Sequence, residues 1–227
     1  MTVQLTIDPT VVDLAVGLVE ASDMTIAPPA AALTEYCQAC VARVRESEPE
    51  GGGPRRQAVR SLLRAGGFKP SGRNKPAQEY LLRTAADAQQ WPAILNAVDV
   101  LNVVSLRSGL PISLVALERA GMSLLIRYGA PEEAFIFNQA GQELDVAGLL
   151  SICRYDGGRT IPVGTPVKDS QFTKVMAADT QVLACIFAPR SAVPADTLRH
   201  WADVLAADFR SWCAARQVRV SLEPAAW

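Results

Sequence analysis

The sequence predicts an α+β fold, on three observations. Short strand patterns form a block over residues 122–163, between helical flanks, with no strict alternation of strand and helix. The 227 residues are 49% apolar and 20% charged, which excludes disordered, collagen-like and low-complexity classes. No internal repeat breaks the chain into units, so one domain over 1–227 is expected.

The elements follow in order. Residues 3–7 (VQLTI) and 11–19 (VVDLAVGLV) read as strands, the second apolar enough for burial on both faces. An amphipathic helix is predicted over 31–46 and ends in the polar, glycine-rich linker ESEPEGGGP at 47–54. A second helix runs from Arg55 to Ala65 and is stopped by Gly66-Gly67. Pro76 suits the start of a third helix over 76–90. Residues 93–106 form a mostly apolar helix. Strands are predicted at 122–128, 133–137, 142–146 and 149–154, and the Asp156-Gly157-Gly158 turn leads into 159–163. A buried strand follows at 181–188. Pro194 opens a helix to about Arg216, and 218–222 closes the chain as a strand.

Composition removes several chemistries. His200 is the only histidine, so multi-histidine zinc sites are excluded and any histidine-based triad must use it. It lies in TLRHWADVLAADF, where a helix-surface or packing role is expected. Trp201 and Trp212, in the same weakly basic helix, are expected in the core and not as base-stacking platforms. Five cysteines fit a reducing compartment, and no secretory leader or 18-residue apolar span is visible, so a cytoplasmic, membrane-free protein is expected. Cys37 and Cys40 form a CxxC inside a running helical pattern, which points to core packing before redox or metal chemistry. No metal and no cofactor is expected.

The charge is uneven although the whole chain carries −1. Arg55, Arg56, Arg60, Arg64, Lys69, Arg73, Lys75 and Arg83 face a single acid, Glu79, within their segment. Arg56, Arg60 and Arg64 recur every four residues, a ridge along one helix face. The loop GGFKPSGRNKP adds Lys69, Arg73 and Lys75 on a backbone stiffened by Pro70 and Pro76. A ridge plus a basic loop suits a phosphate backbone. The alternative is a solvated face paired with the acidic remainder. Gly67 and Gly72 have P-loop spacing, but Arg73-Asn74 stand where Lys and Ser or Thr are required, and a helix precedes them where a strand should.

Asn96, Asp99 and Asn102 share one sector of an otherwise apolar helix. Buried polar groups cost ~1–3 kcal/mol each when unpaired, so they either pin the helix to neighbouring loops or line a polar pocket. The run Asn96-x-x-Asp99-x-x-Asn102-x-x-Ser105 then Leu110-Pro111 resembles the B3/B4 domain of the phenylalanyl-tRNA synthetase beta subunit. The strand with Arg127, the EEAFIF run and Asp179-Thr180-Gln181 before VLACIF follow in the same order. The likeness covers about 55–188, with 1–50 and 189–227 packed onto that core. It is closer to freestanding B3/B4-like proteins, since no aminoacylation or anticodon-binding module fits in 227 residues.

The resemblance implies a three-layer α+β fold containing a β-sandwich with flanking helices. It also implies hydrolysis of misacylated tRNA, with tRNA or aminoacyl-tRNA as partner. The family's editing histidine falls on Ser113, and its editing glutamate on Cys185 or Ile186. Its glycine-rich pocket stretch becomes Gly164 through Gln171, and its later Thr-x-Ala element has no counterpart. Two functions follow. One is a trans-acting deacylase with a changed pocket, in which Asp169 orients water, Lys168 or Lys174 stabilises charge, and Ser113 replaces the histidine as a hydrogen-bond partner. Asn96, Asp99, Asn102, Ser105, Arg127 and Gly164 complete the expected pocket. For Lys168 and Asp169 the alternative is a solvated loop pair. The other function is a non-catalytic RNA- or small-ligand-binding module on the same scaffold.

Overall fold

The computed structural model describes residues 2–87 and 91–227. Its first strands are β1 (Gln4–Ile7) and β2 (Leu14–Ser22), followed by helices α1 (Ala31–Ser47) and α2 (Gly52–Arg64). A 3₁₀ turn at Gly72–Asn74 leads to α3 (Ala77–Asp87) and α4 (Asn96–Ser108). Then come β3 (Ile112–Ala116), the single turn α5 (Leu117–Ala120), β4 (Ser123–Tyr128), β5 (Ala134–Ile136) and β6 (Glu143–Asp145). β7 (Leu150–Asp156), β8 (Arg159–Gly164), β9 (Val182–Pro189), α6 (Ala195–Cys213) and β10 (Gln217–Glu223) complete the chain.

Period-2 alternation in β2 and β9 explains the layering. Val16, Leu18, Leu183 and Phe187 point one way, into a core shared with Leu124, Ile126, Leu150 and Ile152. Ala15, Val19, Ala184 and Ile186 point the other way, against helices. The antiparallel sheet β10-β2-β9-β3 is therefore the middle layer. A second sheet, β1-β4-β7-β8, covers one face, with β1 parallel to β4 and the remaining pairs antiparallel. α1, α4 and α6 contribute to the core on the other face. Small side chains let α6 approach: a Cβ on Gly17 would lie 3.1 Å from Leu198 and 3.5 Å from Ala202. The result is a mixed α+β architecture with a two-sheet sandwich under a helical layer.

Several boundaries move for local reasons. β2 starts at Leu14 and not at 11 because Asp13 takes φ 60°, accepting hydrogen bonds from Ser191. The linker is shorter than its composition suggests. Gly51 caps α2 at φ 75° and Pro54 occupies the first turn, where no N–H is required. α4 ends at Ser108 on the left-handed Gly109. The all-buried strand β3 was not expected, since its apolar run continues the α4 pattern and only the Gly109–Pro111 break separates them. The third predicted helix is found over Ala77–Asp87, and its last three predicted residues lie outside the described residues. No helix among the described residues is long and apolar enough to cross a membrane.

Candidate functional site

Four of the predicted pocket residues meet at one cleft of about 410 Å³. α4 supplies Asn102, the loop after β8 supplies Lys168 and Asp169, and the segment paired to β3 supplies Lys174. Leu101, Ile112, Leu114, Val167 and Val175 make its apolar lining. The loop is shaped by Thr165, whose hydroxyl accepts the Val167 and Lys168 N–H groups and donates to the Lys168 carbonyl at 2.7 Å. This ST-type turn aims Lys168 and Asp169 inward.

Asp169 is anchored from three sides. Ser113 Oγ donates to its Oδ1 at 2.5 Å, the Leu114 N–H to Oδ2 at 3.0 Å, and the Thr165 N–H to Oδ1 at 3.4 Å. Burial nevertheless pushes its carboxyl up to about 6, against the pull of those donors and of Lys174. Gly164 makes the arrangement fit, since a Cβ there would stand 2.5 Å from Ser113 Oγ and 3.1 Å from Asp169 Oδ1. Lys168 holds its ammonium 3.9 Å from the Phe137 ring centroid. Burial first, and the charge of Arg73 second, keep it below the ordinary lysine value. Asn102 is half-buried and its amide has no partner among the described residues. Ser113 is 1% exposed, so it acts on the cleft only through Asp169.

The remaining predicted pocket residues are placed elsewhere. Asn96 donates to the Thr25 and Trp212 carbonyls and accepts the Ala27 and Ala97 N–H groups, so its amide is fully used in fastening α4. Asp99 accepts the Ile94 N–H at 3.0 and 3.2 Å, and Ser105 donates to the Leu110 carbonyl at 2.7 Å. Both close the ends of α4. Arg127 lies on the second sheet, bound through two 2.7 Å contacts to Glu133 and to Thr160. Cys185, opposite Ser113 across β3 and β9, is fully buried between the sheets, and Ile186 faces the helices.

The eight cations divide in two. Arg55 is 7% exposed and donates to the Ser108 carbonyl and Glu50, which removes it from any surface ridge. Arg60 makes a two-point pair with Glu79 at 2.5 and 2.6 Å, and Arg83 pairs with Asp87 at 3.3 Å. Arg56, Arg64, Lys69, Arg73 and Lys75 have no acidic partner within ion-pair distance among the described residues. The basic loop leads directly to the cleft: Ala77, the first residue of α3, lines it and donates its N–H to the Pro166 carbonyl at 2.9 Å, and the Arg73 charge acts on Lys168. The ridge is thus interrupted at Arg60, while the loop leads to the site.

Sequence reasoning missed Phe137, Asn138 and Thr165. A Thr-Pro pair three residues before a lysine was the available signal for Thr165. Nothing local marks Phe137, which reaches the cleft from beyond β5. Cys37 and Cys40 are buried on the inner face of α1, and burial pushes the Cys37 thiol up to about 12, a value unsuited to redox work. No metal-ligating cluster occurs among the described residues.

A second buried carboxyl sets the pH response of the fold. Asp208 on α6 accepts the Tyr36 hydroxyl at 3.2 and 3.3 Å, and burial pushes it up to about 6 despite Arg107. A carboxyl raised on folding stabilises fully below its ordinary range, and that stabilisation is lost as pH rises through the folded value. Glu133 and Asp179 are lowered and respond only at more acid pH. Urea unfolding is therefore expected to show stability falling between about pH 4.5 and 7.5. Asp208→Asn should remove roughly 2–3 kcal/mol of that fall; an unchanged slope would contradict the assignment.

The chain matches no family model and no curated protein sequence.

Proposed function

We propose that the chain is a B3/B4-like protein that binds tRNA and seats its aminoacylated 3′ end in the cleft, where the ester is hydrolysed. The observation that carries this reading is the meeting of Asn102, Lys168, Asp169 and Lys174 over an apolar floor, with Arg73 of the basic loop near enough for its charge to act on Lys168. Lys69, Arg73 and Lys75 hold the phosphate backbone, and the apolar floor takes the amino-acid side chain. Asp169 accepts a proton from water as the water oxygen attacks the ester carbonyl. Lys168 and Lys174 stabilise the tetrahedral oxyanion, which collapses as the ribose oxygen leaves and takes that proton. A carboxyl raised to about 6 is matched to this exchange near neutral pH.

A ligand-holding module without hydrolysis is the second reading. It is favoured by Asp169 already accepting three protein donors.

Filter binding with charged and uncharged tRNA, alongside deacylation of a mischarged panel, tests both readings. Neutralising Lys69, Arg73 and Lys75 together is expected to reduce the slope of log affinity against log salt by about 2–3. Lys168→Met is expected to slow deacylation about 100-fold. Charged-tRNA preference without deacylation selects the second reading, and salt-independent binding or none removes the tRNA reading and leaves a small-ligand module.

A further inference from the structure

A second cavity, of about 370 Å³, lies between α1, α2 and α3, and the cleft chemistry does not use it. Gln78 lines it, one residue along α3 from Ala77, which lines the cleft. Gln78 is 1% exposed, and neither its Oε1 nor its Nε2 has a hydrogen-bond partner among the described residues. An amide buried with both groups unsatisfied is unfavourable to the fold, so it calls for a ligand that supplies a donor and an acceptor side by side. Its terminal torsion is soft, so the amide turns readily to meet one.

The surrounding groups narrow the ligand further. Val44, Leu82 and Ala85 form apolar walls suited to a flat ring. At the α2 N-terminus the Gly53 N–H has no acceptor among the described residues, and a side chain built at Gly53 would meet nothing within 4 Å. Arg56 lines the same mouth, exposed and without an acidic partner among the described residues. A helix N-terminus beside a guanidinium suits one phosphate, with the Glu48 carboxylate on its other side, Oε2 standing 3.0 Å from where a Cβ on Gly52 would be. Glu48, also in the lining, suits sugar hydroxyls and opposes further phosphates. Arg45 also lines the cavity, with its Nε committed to the Ala85 carbonyl.

We infer that this cavity binds a purine mononucleotide. Gln78 reads the donor–acceptor edge of the base, as a glutamine amide does with adenine, and Arg56 with the Gly53 N–H holds the phosphate.

Calorimetric titration of the full chain with AMP, adenosine and UMP tests the inference. Saturable AMP binding is expected, with UMP at least about tenfold weaker. Gln78→Met should weaken AMP about tenfold or more while melting no lower than wild type, because it removes two unsatisfied groups. Ala86→Leu, which narrows the cavity and leaves Gln78 intact, should block AMP equally. Arg56→Gln should weaken AMP and spare adenosine, and Lys168→Met should leave AMP unchanged, which separates this site from the cleft. Displacement of AMP by uncharged tRNA would assign the site to a purine of the RNA, and undisturbed AMP beside bound tRNA to the free nucleotide. Absent AMP binding, equal affinity for UMP, or binding that survives Gln78→Met or Ala86→Leu would overturn the inference.

Discussion

Asp169→Asn is expected to slow aminoacyl-ester hydrolysis by about 100-fold or more, while leaving stability at pH 7 within about 1 kcal/mol of wild type. The two effects separate because the ionised carboxylate serves the proposed hydrolysis and is unfavourable to the fold. Burial outweighs the Ser113, Leu114 and Thr165 donors, so the folded protein binds a proton at Asp169 more tightly than the unfolded chain does. The associated stabilisation is present below the ordinary aspartate range and is lost as pH rises through about 6. Hydrolysis should rise through the same range, as the base becomes available. Asparagine cannot accept the water proton, and its amide presents a donor toward one of the donors it faces, losing one hydrogen bond. It also removes the desolvated charge, which offsets that loss. Activity against pH, with urea unfolding of both proteins at pH 5 and pH 7.5, checks the pair of effects. A variant that is several kcal/mol less stable at neutral pH, with hydrolysis intact, would make Asp169 a structural anchor only.

Arg119→Met is expected to cost about 3–5 kcal/mol, although Arg119 does not line the cleft. Its guanidinium meets Asp179 through two 2.7 Å hydrogen bonds, and Asp179 is only 3% exposed. Without Arg119, the buried carboxylate keeps only the Met176 N–H at 2.7 Å. Arg119 partly faces solvent, so Asp179→Ala should be the milder change of the two. The pair also positions the site, because Arg119 Nη2 donates to the Lys174 carbonyl at 2.8 Å and so fixes the segment that carries that lysine. Arg119 holds the Asp179 carboxyl below its usual value, so this contribution is present above the ordinary aspartate range and is lost as pH falls through the lowered value. Urea unfolding should show the loss, and tRNA affinity should fall about tenfold under conditions where the variant stays folded. The double variant Arg119→Met/Asp179→Leu should recover much of the stability, since neither charge is then left alone. An additive double variant would refute the coupling.

Most of the fold was legible in the residues, and the reasons are local. Alternating or apolar runs bounded by turn residues located β2, β4, β7, β8 and β9, amphipathic pattern located α1, and Pro194 marked the start of α6. The strand β3 was hidden because an apolar helix and a strand buried on both faces look alike over five residues. Local pattern also marked Asn96, Asp99 and Asn102 as one polar stripe, correctly as to helix face. It could not separate them, because their partners come from elsewhere: Thr25 and Trp212 for Asn96, and the cleft for Asn102.

The same division runs through the charge. Composition by itself established that cations concentrate between residues 55 and 83. Which of them are available was decided by Glu50, Glu79 and Asp87, since a guanidinium held by a carboxylate no longer serves a phosphate. Periodicity and turn chemistry act between neighbours in the chain and survive in the sequence. Burial, ion pairing and the unmet amide of Gln78 arise between segments distant in the chain, and only the packed structure determines them.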